Sequence, residues 1–277
     1  MSALSCSVST AAYDGYGFDR ILPSLARCGV RQVEFAFIDG YVEAFTDADL
    51  TLALAGDLCR EMRGLDQHCR YFSGHIDLGL DNAPARLEAR CRFAAALGAK
   101  FVITNAATLG NRARFLANAE RMGHIARHHG VRILLENPGN GEPNMLDHAG
   151  DIPALMATLD DATFGINYDC GNLLSHQPAR PPEADIEQAL PLADHFHIKP
   201  CRRTADGYDF TELGDSDIDE ARVLRALVAA ERSFSLELPF RLHRDPQAQP
   251  WRDAKPLPLD LIEEKLGRSL EWLDNLQ

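Results

Sequence analysis

Short apolar runs, rich in β-branched and aromatic residues, recur along the chain at 4–8, 32–37, 69–73, 100–104, 131–135, 163–168, 194–198 and 233–236. Their start-to-start steps of 28 to 39 residues each hold a loop, a helix and a second loop, which is the grammar of parallel strands joined by helical crossovers. The stretches between them carry helical spacing. Leu50, Leu52, Leu54, Leu58 and Met62 form one apolar stripe, and Leu87, Ala89, Cys91, Phe93, Ala94 and Leu97 form another that stops at Gly98. Glycine again separates a helical segment from a strand at Gly29 and Gly130. Eight even units predict an α/β fold, a closed (β/α)8 TIM barrel occupying 1–277 as one domain. A doubly wound open sheet is the alternative. The absence of a glycine-rich dinucleotide fingerprint after the first run weighs against it. Residues 239–258 are proline-rich and lack a helical period, so they read as a long loop after the eighth strand, followed by a last helix over 259–276.

Charge narrows the function classes. With 28 basic and 41 acidic residues the net charge is 28 − 41 = −13, which opposes binding to nucleic acid or to anionic membranes. No apolar run nears the roughly 20 residues that cross a bilayer, and no basic-then-apolar leader opens the chain, so a cytoplasmic protein is expected. The seven cysteines are odd in number, scattered and without a CxxC pair. They read as reduced thiols that fill the core, Cys170 included. The helical pairs Arg86, Glu88 and Arg90, and Arg112 with Arg114, read as solvated faces.

In a barrel of this kind chemistry gathers where the strands end. The fifth strand runs into Glu136, the sixth into Asp169, the seventh carries His197, and the eighth runs into Glu237. Three carboxylates at neighbouring strand ends are costly to desolvate unless they share a positive charge. A divalent metal supplies one, and three oxygen donors with one imidazole suit Mn²⁺, Mg²⁺, Co²⁺ or Zn²⁺. Each residue alone has an ordinary reading: Asp169 as a helix cap, His197 as a core histidine, the glutamates as salt-bridge partners.

LLEN at 134–137, DCGN at 169–172, HIK at 197–199 and the isolated Glu237 carry a resemblance, supported by VEF at 33–35 and GHI at 74–76. Over essentially its whole length the chain resembles the xylose isomerase-like (β/α)8 barrels. That group includes sugar-phosphate isomerases and epimerases, ketose 3-epimerases, hydroxypyruvate- and inosose-processing enzymes, and 3-dehydroshikimate dehydratases. The resemblance implies Glu136, Asp169, His197 and Glu237 as ligands of one divalent ion, with the two glutamates flanking the reacting carbon, and it makes a homo-oligomer reasonable. Two departures are plain: Asn172 stands where many of the epimerases carry histidine, and Pro200 where aspartate is common. The multi-metal cluster of the related DNA-repair endonucleases has no counterpart in the sequence.

The expected reaction is proton transfer beside a carbonyl through a metal-stabilised enediolate, with Glu136 and Glu237 as base and acid on opposite faces. Returned protons give a sugar isomerase or epimerase. Loss of a β-hydroxyl from the same enolate gives a lyase, and a non-catalytic ligand-binding barrel is a third reading from another class. The partner is a small carbohydrate, sugar phosphate or polyhydroxy keto-acid. His75, Lys199, Asn172, Arg202 and Arg241 are candidate substrate contacts, with Asn105 and Asn137 as further polar groups at the mouth. Glu34, inside the second strand, reads equally as a buried partner for Lys or Arg and as a substrate contact. Lys199, Arg202, Arg203, Arg241, His243, Arg244 and Arg252 cluster after strands seven and eight, which suits an anionic substrate.

Overall fold

A computed structural model gives residues 6–38 and 46–276. Leu4 and Ser5, the start of the first expected strand, lie outside the described residues. The strands are β1 (Cys6–Ser9), β2 (Gln32–Ala36), β3 (His68–Asp77), β4 (Phe101–Asn105), β5 (Arg132–Glu136), β6 (Phe164–Asp169), β7 (His195–Ile198), β8 (Cys201–Thr204), β9 (Gly207–Phe210), β10 (Ser233–Leu236), β11 (Leu242–Arg244) and β12 (Pro250–Arg252). Eight of them close a parallel barrel in the order β1-β10-β7-β6-β5-β4-β3-β2. The helices are α1 (Phe18–Arg27), α2 (Leu52–Gly64), α3 (Ala83–Leu97), α4 (Arg112–His129), α5 (Ile152–Met156), α6 (Cys170–His176), α7 (Pro182–Ala189), α8 (Glu220–Ala229) and α9 (Leu259–Asn275). Gly98 and Gly130 end α3 and α4 in the left-handed conformation that the sequence assigns to them.

Alternation along the strands sorts the side chains into two cores. Val33, Phe72, Val102, Ile133, Ile166, Phe196 and Phe234 point outward and are wholly buried in the main apolar cluster shared with the helices. The inward positions form something different. Tyr71, Ile103 and Leu134, with Phe101 against them, make a small apolar cluster of their own on the β3–β5 side. Across the barrel, Ser7, Glu34, His195, His197 and Ser235 are polar and buried. His195 stacks on Tyr71 with ring centroids 3.7 Å apart. Its two nitrogens reach Ser233 Oγ at 2.8 Å and Ser235 Oγ at 2.9 Å, so burial lowers its pKa to about 3 and it stays neutral.

The structure corrects two readings of the sequence. Residues 239–258 are not a featureless loop: β11 and β12 lie there and join β8 and β9 in an antiparallel sheet of order β12-β11-β9-β8. Three-residue strands carry too little alternation to be seen, and their pairing partner sits in another loop. Arg90 is not solvated but fully buried, donating from Nε to Gly74 O at 2.9 Å and pairing with Asp47 at 2.8 Å. Arg86 joins the same aspartate. The seven cysteines are all unpaired, and no described helix is long and apolar enough to cross a membrane.

Candidate metal centre and active site

Barrel register brings the four strand-end residues to one level. Asp169 lies beside His197 in the β6–β7 pairing, and Glu136 closes β5 next to Asn167. Glu237 stands one residue past β10, tied to β7 by its N–H to Ile198 O at 3.0 Å. Glu136, Asp169, His197 and Glu237 are all buried, and each offers a donor atom within 4.8 Å of the other three.

Local structure aims each donor. Asp169 is the N-cap of α6: its Oδ1 accepts from Asn172 N at 2.9 Å, and the other carboxylate oxygen is left for the site. Asn137 clamps the ends of β5 and β6 together, its amide giving to Asp169 O and taking from Asp169 N, both at 2.8 Å. It is therefore a brace for Asp169. His197 Nδ1 lies 3.0 Å from both Glu136 Oε1 and Glu237 Oε2, while Nε2 faces Glu34 at 3.1 Å. Glu34 takes hydrogen bonds from Ser73 Oγ at 2.8 Å and Ser235 Oγ at 2.6 Å. Its partner is thus a histidine of the site and neither a lysine nor an arginine. The signal for it was present, since an acid inside an apolar strand needs a buried partner, but the partner's identity is a matter of tertiary register.

Electrostatics show an excess of buried negative charge. Burial lifts the Asp169 carboxyl to about 6, with Glu136 and Glu237 adding to it and Lys199 opposing. Burial would lower the His197 pKa, yet Glu34, Glu136 and Glu237 hold it well above the usual imidazole range. Burial likewise opposes ionisation of Glu237, but Lys199 and His197 keep its pKa below the ordinary carboxylate value. Lys199 Nζ stands 2.9 Å from Asp169 Oδ2 and 2.8 Å from Glu237 Oε2, and neither oxygen has a well-aligned hydrogen bond. Two under-satisfied buried carboxylate oxygens beside an imidazole nitrogen fit a divalent cation.

A cavity of about 340 Å³ opens over this cluster, and of the four donors' residues Glu136 and Glu237 line it. His75, Asn105, Asn172 and Lys199 line it too, and His75 Nε2 lies 3.0 Å from Glu136 Oε2. Arg202 does not. It is half-exposed on β8 and pairs with Asp215 at 2.9 Å. Arg241 is buried but gives its Nε to Asp253 O at 2.9 Å and approaches Asp14 at 3.5 Å, so it braces the 239–258 segment. The sequence places Arg244 in the group of basic residues after strands seven and eight, and in the structure it is a buried cation on the cavity wall.

Residues 22–274 match the family model described as the xylose isomerase-like TIM barrel, and the chain belongs to that family. Solved structures similar along the whole chain include a D-psicose 3-epimerase with D-tagatose from Clostridium cellulolyticum H10, at 13% identity and TM-score 0.75 with 99% of each chain covered. The probable 3-DHS dehydratase involved in petrobactin synthesis from Bacillus anthracis matches at 15% identity and TM-score 0.71, covering 98% of this chain and 99% of that one. The 3-keto-D-glucoside 4-epimerase of E. coli matches at 14% identity and TM-score 0.72, covering 99% and 100%. No curated protein sequence gives a match.

Proposed function

We propose that the protein is a divalent-metal-dependent isomerase or epimerase of a sugar, sugar phosphate or related keto-polyol. The observation that carries the reading is the set of four buried donors within 4.8 Å of one another at the base of the cavity. Glu136, Asp169, His197 and Glu237 would hold the ion, through His197 Nδ1 and the carboxylate oxygens that face it. A divalent ion there supplies positive charge to a substrate carbonyl and to the enediolate that follows loss of the neighbouring proton.

The rest falls to the chain's own groups. Glu237, kept ionised beside Lys199, takes the proton at its carboxylate. Glu136 returns one on the other face, with His75 Nε2 3.0 Å behind it as the proton's source. Lys199 and Asn172 orient the substrate oxygens next to the carbonyl. A second reading, a lyase on a dehydroshikimate-like, inosose-like or 3-oxo-glycoside substrate, draws on the unlike partners of the two glutamates. His75 stands on the Glu136 side alone and would protonate a departing β-hydroxyl.

Elemental analysis before and after chelation, followed by incubation with ketoses and keto-acids in D₂O, tests the proposal. About one equivalent of metal, with deuterium entering a substrate that is otherwise returned, supports the epimerase. A new enone absorbance favours the lyase. A chain that takes up no offered divalent metal overturns both.

A further inference from the structure

Burial without a carboxylate partner separates one of the basic residues beyond β7 and β10 from the others: Lys199 is buried against Asp169 and Glu237, and Arg241 against Asp14. Arg202 pairs with Asp215, Arg252 approaches Asp14, and His243 sits between Asp209 and Asp253. Arg244 has no such partner. It is 3% exposed, and the ion pairs among the described residues do not include it. Its Nη1 donates to Ser175 Oγ at 2.5 Å and its Nη2 to Asn172 Oδ1 at 2.7 Å, both neutral acceptors. Its Nε–H meets no acceptor at all.

A buried cation without a counter-charge is costly, and a guanidinium cannot escape by giving up its proton. The fold nevertheless makes room for it. A Cβ at Gly139 would lie 1.9 Å from Arg244 Nη1, so the loop after β5 passes as bare backbone where the guanidinium rests. Phe210 lies beneath it, with the ring centroid 5.1 Å away. Asn172 Oδ1 also accepts from Lys199 Nζ at 3.2 Å. Both cations therefore stand on one wall of the cavity lined by Glu136 and Glu237.

We infer that Arg244 anchors an anionic oxygen group of the substrate, a carboxylate or a phosphate, on a polyhydroxy ketone whose carbonyl end lies at Glu136 and Glu237. The inference rests on the reading above for the position of the carbonyl. A guanidinium has five N–H donors, of which two are used within the protein, and its fork matches both groups. The anion would supply the missing charge.

The test compares three six-carbon ketoses by calorimetry on the protein supplied with Mn²⁺: D-fructuronate, D-fructose 6-phosphate and uncharged D-fructose, which share the ketone end and differ only at C6. At least one anion binds about tenfold or more tighter than D-fructose, and whichever leads identifies the group as carboxylate or phosphate. In Arg244→Gln the preference disappears while Mn²⁺ bound per chain is unchanged. Equal binding of all three ketoses, or none, by wild-type protein that holds Mn²⁺ overturns the inference without needing any variant. An anion preference that survives Arg244→Gln overturns it too. Protein that prefers the anion but takes up no metal sinks the metal-dependent reading and leaves the anion anchor standing.

Discussion

The two sides of the barrel interior are built from opposite materials. On the β3–β5 side Tyr71, Ile103 and Leu134 pack as a barrel lumen ordinarily does, with apolar side chains filling the space. On the β10–β1–β2 side Ser7, Glu34 and Ser235 run as a hydrogen-bonded path to His197, with Ser7 Oγ 2.7 Å from Ser235 Oγ and Ser235 Oγ 2.6 Å from Glu34 Oε2. One side holds the barrel together. The other fixes the orientation of a single imidazole, at the cost of burying polar groups that must all be satisfied. The difference explains why an active site can stand on rigid strands and still have a defined donor geometry.

The largest effect should come from the donors themselves. Asp169→Ala combined with His197→Ala is expected to take bound metal from about one equivalent to none by elemental analysis, with loss of turnover to match. Retained metal would place the ion elsewhere. On the apolar side, Leu134→Ala removes a wholly buried side chain and should cost about 3 kcal/mol in urea unfolding while leaving metal content unchanged. Loss of metal in that variant would mean that the two sides are not separable.

Smaller effects probe the polar path. Glu34→Gln keeps the shape but removes the charge facing His197 Nε2, and should weaken metal binding by roughly 10- to 100-fold in a competition titration with a chelator. An unchanged affinity would reduce Glu34 to packing. Arg202→Ala should change neither substrate binding nor stability by more than about 0.5 kcal/mol, because its ion pair with Asp215 is at the surface.

Much of this was legible in the chain. Each barrel strand overlaps its apolar run, because parallel strands buried on both faces leave a plain hydrophobic signature, and β10 begins and ends on the residues that pattern marks. The four candidate donors were legible for a related reason: a titratable residue inside or directly after such a run stands out. The small sheet β12-β11-β9-β8 was hidden because its pairs are set by contacts between loops. Arg90 and Arg244 were hidden for a different reason. An arginine on a helix or a three-residue strand has the same sequence signature whether it faces water or buried acceptors, and only packing decides. Asp169 shows the converse: its Oδ1 caps α6 while its Oδ2 faces the cluster, so the ordinary reading as a cap leaves the second oxygen for the proposed metal.

The close fit between Gly139 and the guanidinium of Arg244 bears on how this chain can change by mutation. Any side chain at 139 would evict the arginine, whereas shortening residue 244 opens space that residue 139 can then fill. The effect of a substitution at either position therefore depends on the residue at the other, and a directed-evolution library that varies both together will reach cavity walls that substitution of residue 139 alone does not.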